Sequence, residues 1–230
     1  MKTDTRRLNS DYSQDRSLQM FANGTGLTAV SVGYRLAPEN PYPAAINDCI
    51  DVGEYLVGNP SEYGTVRFLG GESAGAYLAL LTSFHLLRTR PSHKISGLVL
   101  RYGEYDLAVG LPAIVASSST KALMIDRNAM ERFNRAYLPR PSLEERRNPS
   151  LSPLYEDLTA LAAALFVCGT ADPLLDDTLL MGMKWSIAGG ESIVKVYPGA
   201  AHGFTVIPGL PVAEEANAVS VQFMREKLDV

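Results

Sequence analysis

Residues 70–76 read G-G-E-S-A-G-A and follow directly on the apolar run T-V-R-F-L. The pattern G-x-S-x-G, here Gly71, Ser73 and Gly75, suits a nucleophile on a sharp strand-to-helix turn. Such a turn holds the serine exposed, and glycines two residues to either side let the two backbones approach closely. The helix that would begin behind Ser73 adds positive potential and unpaired N–H groups, which favours oxyanion charge. The N–H of Ala74 would be one oxyanion donor. The pattern alone is weak, and its position between an apolar strand-like run and a helix-like run strengthens it.

A serine alkoxide is inaccessible near neutral pH without a base, so a histidine is required. The chain has three. His85 lies about three turns into the helix that follows Ser73, too far along to fold back, and reads as a packed helix histidine. His93 sits in the polar stretch P-S-H-K and reads as solvated. His202, in P-G-A-A-H-G-F, follows the last strand-like run in a glycine-flanked loop, where a sheet delivers a side chain to its carboxyl edge. An orienting carboxylate is expected after another strand, and C-G-T-A-D-P-L-L-D-D offers Asp172, with Asp176 and Asp177 a turn later. Asp172 also reads as an N-cap with Pro173 at the first helical position, and the two later aspartates suit a helix N-terminus. Both kinds of role stay open for this cluster.

The elements that must position these groups follow from periodicity. Ser10 can cap a helix running through Leu18, Met20 and Phe21 to Asn23-Gly24. L-T-A-V-S-V-G-Y (27–34) predicts a buried strand. A helix follows from about 44 to 57, then a strand over 65–70 and a helix after Ser73 that is apolar on nearly every face. I-S-G-L-V-L-R-Y predicts another strand. Residues 107–155 break the rhythm with a Ser-rich turn, an amphipathic helix near 127–138 and two Pro-rich runs, and read as an insertion over the sheet edge. The alternation resumes with a strand over 164–169, a helix over 173–188, a strand in S-I-V-K-V-Y and a helix from about 212 to 227. This predicts a three-layer α/β/α sandwich on a mostly parallel sheet, one domain over 1–230 with 107–155 as a cap-like insertion.

Composition sets the class. A chain of 230 residues with 46% hydrophobic and 20% charged residues can build one sizeable core. A net charge of −4 without a dense basic block points away from nucleic acid and anionic membranes. Cys49 and Cys168 lie in apolar-periodic segments and read as reduced core thiols, which with a polar N-terminus suggests a cytoplasmic protein. No run approaches membrane-spanning length.

Four segments, S-V-G-Y-R-L-A-P-E-N-P-Y-P-A-A-I-N-D, G-G-E-S-A-G-A, G-T-A-D-P-L-L-D-D and G-A-A-H-G-F, together resemble the hormone-sensitive-lipase-like branch of the α/β-hydrolase carboxylesterases. The resemblance runs from about residue 15 onward, with Y-R-L-A-P-E its sharpest part, and the order Ser73, Asp172, His202 matches the Ser…acid…His order of that fold. It implies hydrolysis of carboxylic esters, often of short acyl chains, through an acyl-serine intermediate, with no metal or cofactor and a small-molecule ester as partner. Ser73 would be the nucleophile, His202 base and then acid, and Asp172 the group that fixes the histidine tautomer. Residues 107–155 would cap the site. Met124, Met130 and Phe133 are candidate pocket residues for which core packing competes, and Tyr34 and Tyr102, near strand ends, are weaker ones. A homo-oligomer is left open.

The sequence departs from that family in one respect. No H-G-G-G motif precedes Y-R-L-A-P-E: the first glycine is Gly24 and the first histidine His85. The resemblance thus implies an N-terminally truncated fold that lacks a central strand and every oxyanion donor except Ala74. Each missing donor costs about 10²–10³ in turnover, and two together roughly 10⁴. The alternative to an esterase is therefore a weakly active or inactive short form that binds a small ligand or completes its sheet with another chain.

Overall fold

The computed structural model describes residues 15–117, 124–159 and 161–228. Helix α1 (Asp15–Thr25) stops where Gly26 takes a left-handed φ of 72°. It runs past the expected end at Asn23-Gly24, and Gly24 packs against a neighbouring segment, where a Cβ would sit 2.6 Å from the Val221 side chain. The Ser10 cap falls outside the described residues.

Residues 27–34 are not the buried strand that their β-branched composition predicts. They carry no ladder, residues 28–31 are exposed, and Val30 retains half its surface. Propensity for a strand is realised only against a partner backbone, and no described residue supplies one here.

The remaining elements follow the predicted alternation with small shifts. Helix α2 (Ala44–Gly58) ends at the Gly-Asn-Pro signal and is followed by the single turn α3 (Pro60–Tyr63). Strand β1 (Phe68–Glu72) begins three residues later than expected and runs straight into Ser73, from which α4 (Ala74–Thr89) departs. Strand β2 (Gly97–Arg101) is buried at every residue. Then come α5 (Pro112–Ala116), α6 (Arg127–Tyr137) and 3-10 turns at Glu145–Arg147 and Pro153–Tyr155. Strand β3 (Ala163–Gly169), helix α7 (Leu175–Ile187), strand β4 (Ser192–Tyr197), a 3-10 turn at Phe204–Val206 and helix α8 (Pro211–Leu228) complete the chain.

The four strands form one parallel sheet in the order β1-β2-β3-β4. Parallel strands covered on both faces need near-continuous apolar sequence, as in L-V-L and A-L-F-V-C. On one face Leu98, Leu100 and Phe166 pack with Cys49 of α2, Leu80 and Phe84 of α4, and Met181 and Trp185 of α7. On the other, Val99, Leu165 and Val167 meet Ala216 and Phe223 of α8, with Phe21 of α1 against them. Both cysteines are free and buried, and burial pushes the Cys49 thiol up to about 12. Among the described residues no helix is long and apolar enough to cross a membrane. All four strands end on the same edge, which therefore receives the loops carrying Ser73, Asp172 and His202.

Candidate active site

Ser73 is the hinge between β1 and α4, with φ 53° and ψ −123°, a conformation L-residues rarely adopt. Its N–H donates to the Arg101 carbonyl at 2.9 Å, which ties the elbow to the neighbouring strand. The glycines have a steric reason: a Cβ on Gly71 would run into the Gly75 backbone. Strand and helix thus touch across the elbow, and Ser73 is held in its strained position by packing on either side. Ala74 opens α4, so no earlier turn offers its N–H an intrahelical carbonyl.

His202 lies between β4 and the Phe204–Val206 turn, flanked by Gly199 and Gly203 at φ 72° and 74°. A Cβ on Gly169 would collide with the Ala200 carbonyl, so the end of β3 and the histidine loop lie in direct contact. The loop brings His202 Nε2 to 3.0 Å from Ser73 Oγ and Nδ1 to 2.9 Å from Asp172 Oδ2. The Asp172 side chain is fully buried and that of His202 is 10% exposed. The three residues singled out in the sequence, 129 and 30 positions apart, thus form one hydrogen-bonded row.

Asp172 keeps part of its other role. Its Oδ1 accepts the Leu174 N–H at 2.9 Å, bracing the turn ahead of α7, whose first residue is Leu175 and not Pro173. Asp176 and Asp177 do more than favour a helix end. Asp177 Oδ1 accepts the N–H groups of Tyr105 at 2.6 Å and Asp106 at 2.8 Å, and Asp176 Oδ2 accepts that of Ala113 at 2.7 Å. Burial pushes the Asp177 carboxyl up to about 8, against those N–H groups. Beside it Glu104 is buried and accepts a hydrogen bond of 2.6 Å from Asn134 of α6, and burial followed by the Asp177 charge raises its carboxyl well above the ordinary range.

The other histidines serve elsewhere. His85 hydrogen-bonds Glu54 at 2.9 Å across the α2–α4 contact, where the Thr89, Arg90 and His85 hydrogen bonds hold the Glu54 carboxyl down at about 2. His93 is not simply solvated: a ring nitrogen lies 2.9 Å from the Val66 carbonyl. Met130 is buried with Val109, Ile114 and Leu174, and Phe133 packs on that cluster, whereas Met124 is exposed. Tyr34 joins the main core.

A buried polar row behind the elbow was not anticipated. The Glu72 carboxylate, next to Ser73, accepts from Arg101 Nη1 at 3.0 Å and from the Thr205 hydroxyl at 2.9 Å. Tyr102, at φ 37°, puts its hydroxyl 2.6 Å from Thr205 Oγ1 and its ring 4.9 Å from the His202 imidazole. The row joins β1 to the histidine loop. Only its charge pair had a signal in the sequence, F-L-G-G-E and G-L-V-L-R each ending a strand on a charge of opposite sign; the Thr205 and Tyr102 hydroxyls had none.

Comparison with known proteins agrees with this geometry. The profile of a family described as alpha/beta hydrolase fold matches residues 7–206. The acetyl esterase of Salmonella paratyphi A is 30% identical in an alignment 200 residues long that covers 84% of this chain and 60% of that protein. The chain thus spans about three-fifths of the length of the curated relatives it matches. A hyperthermophilic esterase from the archaeon Pyrobaculum calidifontis superposes at a TM-score of 0.87 with 27% identity, over 97% of this chain and 74% of that one. An esterase of the bacterial hormone-sensitive lipase family shares the fold at a TM-score of 0.84 and 24% identity, over 96% of this chain and 72% of that one. The chain belongs to the alpha/beta hydrolase fold family.

Proposed function

We propose that this protein is a serine carboxylesterase acting on small carboxylic esters. The observation that carries the reading is the row Ser73 Oγ, His202 Nε2, Nδ1, Asp172 Oδ2, with links of 3.0 and 2.9 Å on a strained elbow. The esterase relatives support it. Ser73 Oγ attacks the ester carbonyl while His202 Nε2 takes its proton. The imidazolium then donates that proton to the leaving alkoxide, and an acyl-serine remains. Water, deprotonated by the same nitrogen, attacks the acyl carbon and regenerates Ser73. Asp172 holds Nδ1–H, so that Nε2 is the basic nitrogen. The Ala74 N–H receives the oxyanion, and Ser73 gains its approach from the backbone strain. No step calls for a metal or cofactor.

Residues 107–155 act as the cap, with α6 anchored through Asn134 to Glu104 and α5 through Asp176. Two buried free thiols suit a reducing compartment such as the cytoplasm. Hydrolysis of p-nitrophenyl acetate and butyrate by the chain and by Ser73→Ala tests the reading. The substituted chain is expected to fall to the buffer rate, and equal rates for the two would sink it.

A further inference from the structure

Tyr102 sits where strand geometry does not send it. Side chains alternate along a strand, so Leu98 and Leu100 of β2 face α4 and α7 while Val99 faces α8. Carried one residue beyond Arg101, that alternation puts position 102 on the face of Leu98 and Leu100. The Tyr102 N–H still donates to the Val167 carbonyl at 2.7 Å, as the ladder requires. Its φ of 37° turns the ring the other way, into the cluster that holds Val99, Ala200 and Phe204. Backbone strain of this kind persists only where the surroundings over-determine it, and it gathers at functional sites.

The turned ring meets the histidine. It lies 4.9 Å from the His202 imidazole, with the planes at 64°. Phe204 of the same loop packs on the phenol at 6.2 Å, and the hydroxyl is held 2.6 Å from Thr205 Oγ1. At 1% exposure Tyr102 offers no surface to a substrate, so any part it has in the reaction passes through the imidazole. The bonds of His202 to Asp172 and Ser73, at 2.9 and 3.0 Å, hold its ring along the line through the two nitrogens. They resist tilt about that line only weakly, because hydrogen bonds tolerate a broad range of angles. Tilt matters to the chemistry: Nε2 takes a proton from Ser73 Oγ and then offers it to a different oxygen, that of the leaving alcohol. Misdirection at that nitrogen is felt in turnover more than in binding.

We propose, on the esterase reading of the Ser73 row, that Tyr102 is a positioning residue whose ring sets the tilt of the His202 imidazole, aiming Nε2 first at Ser73 Oγ and then at the leaving oxygen. The phenol ring performs this task, and its hydroxyl serves to hold the ring in place.

Two variants of the full chain separate ring from hydroxyl. Tyr102→Leu fills the space without a flat face, and Tyr102→Phe keeps the face and drops the hydroxyl. With p-nitrophenyl acetate, Tyr102→Leu is expected to lower kcat about tenfold or more with KM within about twofold, and Tyr102→Phe to stay within about threefold of the parent in both. Proton NMR without substrate, on chains with isotopically labelled histidine, reads the imidazole itself. The downfield Nδ1–H resonance of His202, identified by its loss in His202→Gln, should be sharp in the parent and in Tyr102→Phe and broadened in Tyr102→Leu. Urea melts give the folded fraction, and Tyr102→Met, with its adaptable side chain, takes the place of Tyr102→Leu if that chain does not fold. Parent-like kcat with a sharp resonance in Tyr102→Leu would overturn the proposal. Equal losses in both variants would assign the effect to the hydroxyl and overturn it too, as would a kcat loss that the unfolded fraction accounts for. A parent that hydrolyses no ester sinks the esterase reading alone, and the resonance then decides on Tyr102.

Discussion

At the residue scale the site is one imidazole held from three sides. Asp172 fixes Nδ1, Ser73 meets Nε2 and Tyr102 covers the ring. Asp172→Asn keeps the shape but admits the wrong tautomer, and should lower kcat by about 10⁴ with the fold intact by circular dichroism. Thr205→Val removes the hydroxyl that spans Glu72 and Tyr102. It should cost about 1–3 kcal/mol of stability through unpaired buried partners, read by urea denaturation. It should also reduce kcat more than KM changes, because the histidine loop loses its tie to the nucleophile strand. The hydrogen-bonded row Ser73–His202–Asp172 was legible as a grouping because each member follows a strand and sits among glycines or helix-start signals. The Glu72 row was not, because nothing in a strand pattern says which distant hydroxyl will reach a buried charge.

At the element scale, the register of the alternation was legible and its left margin was not. Strands β2 to β4 and the helices around them appear where apolar runs and Gly/Pro punctuation place them. Residues 27–34 have the composition of a strand, yet a strand is a relation between two backbones, and a single segment cannot display its partner. The buried carboxyls that join α7 to the loop after β2 give a pH-dependent signature. Asp177 titrates near 8 when folded and near 4 when unfolded. A raised acid binds its proton more tightly in the fold, so its neutral form favours folding, and stability falls as pH rises from about 4 to 8. Asp177→Asn keeps an acceptor for the Tyr105 and Asp106 N–H groups and removes that titration. The unfolding free energy of the substituted chain should therefore gain on the parent progressively across that window, reaching roughly 5 kcal/mol by pH 8, and not below it, read by urea melts at pH 4, 6 and 8.

At the scale of the whole molecule, both faces of one sheet carry the core, so the chain should unfold as a unit. The single tryptophan, Trp185, is fully buried against Phe166 and donates its indole N–H to the Ala162 carbonyl at 3.1 Å. Its fluorescence and the far-ultraviolet dichroism of the helices are expected to change at one temperature; two separated transitions would divide residues 107–155 from the rest. The Tyr102–Thr205–Glu72 row has a last consequence. The Glu72 carboxylate claims the Thr205 proton, so Thr205 Oγ1 can only accept, and the Tyr102 proton must point at it. Every hydrogen in that row is directed inward, toward Glu72. Tyr102, whose ring meets the His202 imidazole edge-on at 64°, thus holds its proton away from it, and the two imidazole nitrogens are left to Asp172 and Ser73.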